Sequence, residues 1–174
     1  MASQDELIAQ IPGLRRYARA LTGDAWAADD LVQDTLERAC NKWRLWRVGS
    51  DLRAWLFTLM HNLFVSQWRH AARHAPAADG TTSELPEPLA PEMPLDTALD
   101  LQRCLMRLPA EQRAVLLMVT LEDLSYAEVA RICGVPVGTV MSRLSRARSR
   151  LQELLDGAAQ TPAPGPVVPL RRLK

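Results

Sequence analysis

The sequence has few of the features that mark secreted or membrane-bound proteins. It contains three cysteines, Cys40, Cys104 and Cys133, which are odd in number and far apart. This spacing argues against a disulfide framework and favours a reducing, cytoplasmic environment. The longest apolar runs, such as residues 114–119, are far too short to span a bilayer. Residues 1–10 include acids and no apolar segment, so we expect neither a signal peptide nor stable membrane insertion.

The signatures of the common enzyme classes are also missing. The sequence has no Walker loop, no H-E-x-x-H, no G-x-S-x-G and no dinucleotide-binding fingerprint. His70 and His74 are four residues apart, but they have no acidic or cysteine partner nearby, so a zinc site is not favoured. We therefore expect no enzymatic activity, no metal and no cofactor.

The net charge of +1 does not by itself indicate a nucleic-acid partner. The charges are unevenly distributed, however. Residues 71–99 carry one basic residue and five acidic ones, and from Arg131 to Arg150 there are five arginines and no acid. A nearly neutral total therefore hides a local basic region.

Helical periodicity covers both ends of the chain. Apolar residues recur at intervals of three and four over 14–36 and again over 52–68. A Thr-Gly-Asp break at 22–24 separates two helices, with Gly23 at the C-cap, and a second break at 48–51 precedes the helix over 52–68. From residue 71 to residue 94 the sequence is rich in alanine, proline and acids, which disfavours both a helix and a core.

The periodicity resumes at Leu95, and Pro109 stands just before a further predicted helix over 110–120. The sequence therefore predicts an all-α protein of two small helical domains joined by a flexible linker. The predicted boundaries are 1–72 for the first domain, 73–94 for the linker, 95–156 for the second domain and 157–174 for a disordered tail.

The second domain carries the most informative motif. Ser125 and Glu128 have the spacing of a capping box, which predicts the start of a helix. Gly134 can adopt the left-handed conformation of a sharp turn, and Pro136 then leads into a second helix. A helix, a short glycine turn and a helix are the helix-turn-helix pattern. The buried stripe of the second helix is predicted to hold Val140, Leu144, Ala147, Leu151 and Leu154.

The opposite face of that second helix is rich in serine and arginine. Small hydroxyls let a helix approach DNA closely, and arginine can bridge guanine O6 and N7 or pair with a phosphate. The pattern therefore predicts a DNA-contacting surface. The alternative is an ordinary solvated helix face.

Five segments carry a resemblance to a known family. DDLVQDTL at 29–36 and LRAWLFTLMHNL at 52–63 resemble region 2 of extracytoplasmic-function sigma factors. Three further segments resemble region 4 of the same family: LPAEQRAVLLM at 108–118, LSYAEVA at 124–130 and VPVGTVMSRLSRAR at 135–148. The resemblance covers about residues 10–155, and it implies a promoter-reading subunit of RNA polymerase.

The resemblance implies roles for residues of the first domain. The helix that carries DDLVQDTL would dock on core polymerase through Asp29, Asp30, Gln33 and Asp34. Capping of the first helical turn is an alternative role for Asp29 and Asp30. The −10 DNA element would be read by Trp46, Arg47, Ser50, Asp51, Arg53 and Asn62. In this reading Trp46 stacks on an extruded base, with core packing as its alternative role.

Three other tryptophans, Trp43, Trp55 and Trp68, fall on helical stripes and are expected in the core.

In the second domain the resemblance implies −35 DNA contacts by Ser142, Arg143, Ser145, Arg146 and Arg148. Ser142, Ser145 and Arg146 would meet base edges, whereas the other arginines would meet phosphates or solvent. Met141 stands where the family often has a basic residue, and Asp123 stands where it often has glycine.

The partners implied by the resemblance are core RNA polymerase, promoter DNA and an anti-sigma factor. The acidic linker either mimics a nucleic-acid chain in the RNA channel or is a solvated spacer. A stand-alone repressor or activator with the same helix-turn-helix is the main rival. It would bind duplex DNA without polymerase, and it would need a dimer interface or a sensor domain.

Overall fold

The computed structural model describes residues 4–43, 51–74 and 97–159. Within these ranges the backbone forms helices and no strand, which confirms the predicted all-α fold. The helices are α1 (Gln4–Thr22), α2 (Ala25–Asn41), α3 (Leu52–His74), α4 (Thr97–Met106), α5 (Ala110–Thr120), α6 (Tyr126–Cys133) and α7 (Val137–Ala159). Most of the predicted linker and tail, residues 75–96 and 160–174, lies outside the described residues.

The turn between α1 and α2 follows the predicted break. Gly23 has a φ of 72°, a conformation that favours glycine. A Cβ at this position would lie 2.6 Å from Sδ of Met106 in α4. Asp24 caps α2 by accepting a hydrogen bond of 2.8 Å from the backbone N–H of Ala27. This turn therefore ends one helix, starts the next and lets α4 approach closely.

Three helices are longer than the sequence predicted. α1 begins at Gln4 and runs through Pro12, and Leu7 in its added part packs against the core. This apolar packing offsets the cost of the backbone hydrogen bond that proline cannot make. α3 continues to His74, so residues 73–74, which the prediction placed in the linker, are helical. α7 continues to Ala159, so residues 157–159, which the prediction placed in the tail, are helical as well. In both cases alanines, which favour helix, precede the next proline.

The first three helices and the last four pack together around one continuous apolar core. α1 contacts α4 and α5, and α3 contacts α6. Tyr17 of α1 is fully buried and meets the ring of Phe57 of α3 edge to face, with the centroids 5.2 Å apart. Sequence reasoning predicted two domains but not this close packing between them.

No described helix has the length and apolar character needed to cross a membrane.

All three cysteines are free thiols. Cys133 of α6 is mostly buried, and burial raises the pKa of its thiol to about 11. This thiol is therefore protonated, and unreactive as a nucleophile, at neutral pH.

Candidate nucleic-acid interface

Two local features precede the first helix of the helix-turn-helix: a left-handed residue at Asp123 and a capping box at Ser125. Asp123 has a φ of 54°, which explains why glycine suits this position, since aspartate is among the few other residues that tolerate it. Ser125 then caps α6: its Oγ accepts a hydrogen bond of 3.3 Å from the Glu128 N–H, and the Glu128 carboxylate accepts one of 2.7 Å from the Ser125 N–H. The hydrogen bonds from Ser125 lower the pKa of Glu128. The predicted capping box is confirmed.

Gly134 ends α6 in the left-handed conformation, with a φ of 64°. Its N–H and that of Val135 both donate to the carbonyl of Ala130. α7 follows directly, and its residues Val140, Leu144 and Ala147 are fully or almost fully buried, as predicted. The helix-turn-helix geometry is therefore present.

Most of the residues predicted to contact the −35 element are exposed on α7. Ser142, Ser145, Arg146 and Arg148 are all exposed. Met141 is exposed on the same helix, so an apolar side chain borders this face. Within 131–150 the face has no acidic residue to repel a phosphate. The Ser142 hydroxyl donates a hydrogen bond of 3.0 Å to the Thr139 carbonyl, so towards a ligand it can act as an acceptor.

Arg143 differs from the other arginines of α7. Its side chain is only 22% exposed, and its Nη2 lies 2.5 Å from the Glu111 carboxylate of α5. The guanidinium therefore points towards the half-exposed Glu111 and joins α7 to α5. The structure does not group Arg143 with the exposed side chains of α7.

The predicted polymerase-binding residues share an exposed face of α2. Asp29, Asp30, Gln33 and Asp34 are exposed, whereas Leu31 and Val32 between them are buried. First-turn capping by Asp29 or Asp30 is wrong, because α2 begins at Ala25 and has no acidic residue in its first turn. The capping carboxylate belongs to the preceding residue, Asp24.

Sequence reasoning missed Trp26 on this helix. Its side chain is 84% exposed, which is unusual for tryptophan. Trp26 precedes Asp29 and Asp30 by three and four residues, and therefore lies one turn away on the same face of α2. Because tryptophan is highly buried on average, only the structure identifies Trp26 as a surface residue.

The predicted −10 residues are only partly described. Trp46, Arg47 and Ser50 lie outside the described residues. Asp51 caps α3, since its Oδ1 accepts a hydrogen bond of 3.1 Å from the Ala54 N–H. Asn62 is exposed. It stands about 16 Å along the helix from Asp51, so these two side chains cannot meet the same base.

Arg53 begins the same helix and points towards the second domain. Its Nη2 donates to both the backbone carbonyl and the carboxylate of Glu122, at 2.5 and 2.9 Å. Arg53 and Asn62 are nine residues apart, which puts them on opposite faces of α3. The structure therefore separates these two predicted −10 residues and joins one of them to an acid that sequence reasoning did not single out.

The tryptophan predictions have a mixed outcome. Trp43 and Trp55 are partly buried against the core and meet edge to face, with centroids 6.3 Å apart. Trp68 is half exposed, so its predicted core packing is wrong. It lies towards the end of α3, where the helix passes beyond most of the core and leaves a small crevice that Trp68 lines with His61 and Glu111.

No group of three or more histidine, cysteine or acidic side chains suited to a metal ion occurs in the part of the chain that the structure describes.

Two family models match the chain. The one described as the Sigma2 domain of PhyR matches residues 7–61, and the one described as Sigma-70, region 4, matches residues 98–151.

Individual relatives cover most of the chain. The ECF RNA polymerase sigma factor EcfG of Rhodopseudomonas palustris (strain TIE-1) is 42% identical over 161 residues, which is 89% of this chain and 87% of that protein. The ECF RNA polymerase sigma factor SigM of Mycobacterium tuberculosis is 36% identical over 150 residues, which is 82% of this chain and 71% of that protein. The sigma factor RpoE of Bartonella quintana, solved in complex with the anti-sigma factor NepR, is 41% identical, with a TM-score of 0.72 over 88% of this chain and 96% of that one.

The fold and these likenesses define the class of protein as a helical sigma factor with region 2 followed by region 4. Within that class, the chain belongs to the family of extracytoplasmic-function RNA polymerase sigma factors. The relatives named above are sigma factors and not enzymes, in agreement with the expectation from the sequence.

Proposed function

We propose that this chain binds core RNA polymerase and directs promoter-specific transcription initiation. The exposed face of α7 reads the −35 duplex, and the loop at 46–51 with the start of α3 holds the melted −10 strand. The observation that carries this proposal is the outward face of α7, where Ser142, Ser145 and Arg146 are exposed opposite the buried stripe of Val140, Leu144 and Ala147. Arg148 is exposed at the edge of this face. An exposed helix of this composition after a capped helix and a glycine turn has the geometry that enters the major groove.

The polymerase-binding surface in this proposal is the exposed face of α2. Four polar residues at 29, 30, 33 and 34 provide hydrogen-bonding groups, and Trp26 adds a large apolar contact one turn earlier. A tryptophan surrounded by polar side chains resembles the anchor and rim of a protein–protein interface. The same face has no arginine-rich stretch, so it suits a protein better than DNA.

We also propose an anti-sigma factor as a partner and the cytoplasm as the place of action. The support is the 41% identical relative that was solved bound to NepR. An anti-sigma factor would act by covering the polymerase-binding or DNA-binding surfaces until a signal arrives. The three free thiols agree with a reducing compartment.

The proposed division into domains at 1–72 and 95–156, with a linker between them, has a mechanical consequence. The 22 residues of this linker can reach roughly 75 Å when extended, so the two domains can separate far enough to hold two promoter elements at once. The compact packing of α3 on α6 must then give way when DNA is bound.

Run-off transcription with purified core polymerase and a pool of the host's upstream DNA fragments tests the proposal. New discrete transcripts that require this protein are expected, and their start sites identify both promoter elements. Absence of transcripts, together with tight duplex binding by the protein alone, would favour a stand-alone regulator.

The −10 role of Trp46 is tested on a promoter found in this way. The Trp46→Ala variant is expected to bind core polymerase normally but to form fewer open complexes, because base stacking contributes about 1–3 kcal/mol. Permanganate reactivity of the −10 thymines measures opening directly, and unchanged reactivity in the variant would exclude the stacking role.

A further inference from the structure

A single carboxylate of the second domain lies between two arginines of the first. Nε and Nη2 of Arg16 in α1 each lie 3.0 Å from an oxygen of Glu122, in a two-pronged pairing. Arg53 of α3 approaches the same carboxylate, with its Nη2 2.9 Å from Oε2. The Glu122 side chain has no solvent exposure at all. An acid buried to this extent requires such charge compensation.

The first domain is shaped to admit this carboxylate. Gly13 lies beside it, and a Cβ at that position would come within 3.3 Å of Oε2. Arg53 also stacks over the ring of Phe57, at 5.6 Å from the centroid, which orients its guanidinium. The pocket for Glu122 is therefore built from a glycine on α1, one arginine on α1 and one on α3.

The same pocket has the chemistry of a phosphate site. Both guanidinium groups approach Oε2 of Glu122, so without an anion two like charges would face each other at close range. Guanidinium forks pair with phosphate in the same two-pronged way as with carboxylate. Arg16 and Arg53 are 54% and 36% exposed at the outer edge of the pocket, so an external anion can reach them once Glu122 leaves.

We propose that Arg16 and Arg53 form a binding site for a backbone phosphate of promoter DNA, and that Glu122 occupies this site as an internal substitute while the two domains are packed together. The inference rests on the proposed function. It adds Arg16, which belongs to none of the surfaces described above, and it makes domain packing and −10 DNA binding mutually exclusive. Arg53 lies two residues after Asp51, beside the loop proposed to hold the melted strand.

Competition of this kind predicts how the apparent affinity for DNA changes. If only the open fraction of molecules binds, the apparent dissociation constant is the intrinsic one divided by that fraction. Replacing Glu122 with glutamine removes the charge and keeps the shape, so the open fraction should rise. Affinity should rise by the same factor, on the order of tenfold for a chain that is mostly closed.

The test uses the full-length chain and two measurements. Small-angle X-ray scattering reports the separation of the domains, and fluorescence anisotropy with a short labelled oligothymidylate at fixed salt reports DNA binding. Glu122→Gln should expand the chain and tighten binding. The matched control is Glu153→Gln, which makes the same charge change at an exposed position of α7 and should leave the dimensions of the chain unchanged.

A double variant decides whether Arg16 holds the phosphate. Glu122→Gln with Arg16→Gln should remain expanded but lose most of the gain in affinity. Expansion without tighter binding in Glu122→Gln, or full affinity in the double variant, would show that the ion pair only joins the domains and would overturn the proposal. Unchanged scattering in Glu122→Gln would overturn it as well.

Circular dichroism would show whether Glu122→Gln folds. If it does not fold, a second variant tests the same proposal. Gly13→Ala leaves all the charges in place, favours helix and crowds the carboxylate, so it should give a smaller change of the same sign in both measurements. No change in either would contradict the proposal. Neither measurement needs polymerase, so a negative run-off assay would contradict the proposed function and leave these results to decide the phosphate site.

Discussion

Nη2 of Arg143 and Oε2 of Glu111 lie 2.5 Å apart, which ties the start of the long helix α7 to α5. Arg146 lies on the same helix but is exposed. Both arginines were predicted to contact −35 DNA, Arg146 at base edges and Arg143 at phosphates or solvent, but the structure gives them different surroundings. Their substitution should have different consequences.

We expect Arg146→Ala to weaken −35-dependent initiation by about 1–3 kcal/mol and to relax sequence preference there, because a base-reading arginine is lost. The measurement is transcription from a promoter with an intact −35 element and from one with that element scrambled. An equal loss on both promoters would remove Arg146 from the base-reading residues.

Arg143→Ala should act mainly on stability. Loss of its partly buried ion pair should lower the free energy of unfolding by about 1 kcal/mol, while −35 preference is kept. Urea denaturation of the two arginine variants side by side makes the comparison. A normal midpoint for Arg143→Ala combined with relaxed −35 preference would reverse the assignment.

Trp26→Ala should weaken binding to core polymerase by about 2 kcal/mol, since exposed tryptophans at the centre of an interface often contribute this much. Stability should be nearly unchanged, because the side chain makes little contact with the fold. Ile8→Ala is the matched control, as it removes another exposed apolar side chain from the first domain. Binding titrations with labelled variants would show whether both lose affinity equally, which would count against a specific role for Trp26.

Two glycines of the helix-turn-helix allow a matched test of backbone conformation. Neither Gly134 nor Gly138 has a neighbour within 4 Å of the position that a Cβ would take, so alanine causes no clash at either site. Gly134 has a φ of 64° and Gly138 lies in the first turn of α7. Gly134→Ala should therefore cost about 1 kcal/mol of stability, whereas Gly138→Ala should be neutral or slightly stabilising. Chemical denaturation measures both, and equal effects would contradict the conformational explanation.

Local sequence signals predicted most of the secondary structure. The break at 22–24, the capping box that starts at Ser125 and the glycine turn at Gly134 each depend on neighbours within four residues, and all are present in the structure. The start of α1 was missed because Pro12 masks a stripe that tertiary packing stabilises. Local rules describe such a helix poorly, since its stability depends on contacts made elsewhere in the chain.

The arrangement around Glu122 was beyond the reach of sequence reasoning for a different reason. Arg16 and Glu122 are 106 positions apart. A single glutamate between two predicted helices is most often a solvated residue, and a single arginine on an amphipathic helix is as well. Only the packing of one domain on the other brings them together and buries the acid. The exposed face of α7 could be predicted because its residues belong to one helix, whereas this pairing needs three elements.

His61 provides a prediction about pH. It is buried in α3, and its Nδ1 has no hydrogen-bond partner in the described part of the chain. Burial, with the nearby Arg143 acting in the same direction, lowers the pKa of His61 from 6.5 to about 4. Between these two values the unfolded chain binds a proton that the folded chain does not, so stability should fall as the pH drops from 6.5 towards 4, by up to about 3 kcal/mol. His61→Gln should remove this part of the pH dependence, whereas His70→Gln at an exposed position of the same helix should retain it. Thermal unfolding of both variants over this pH range is the measurement, and an unchanged slope for His61→Gln would assign the pH dependence to the carboxylates instead.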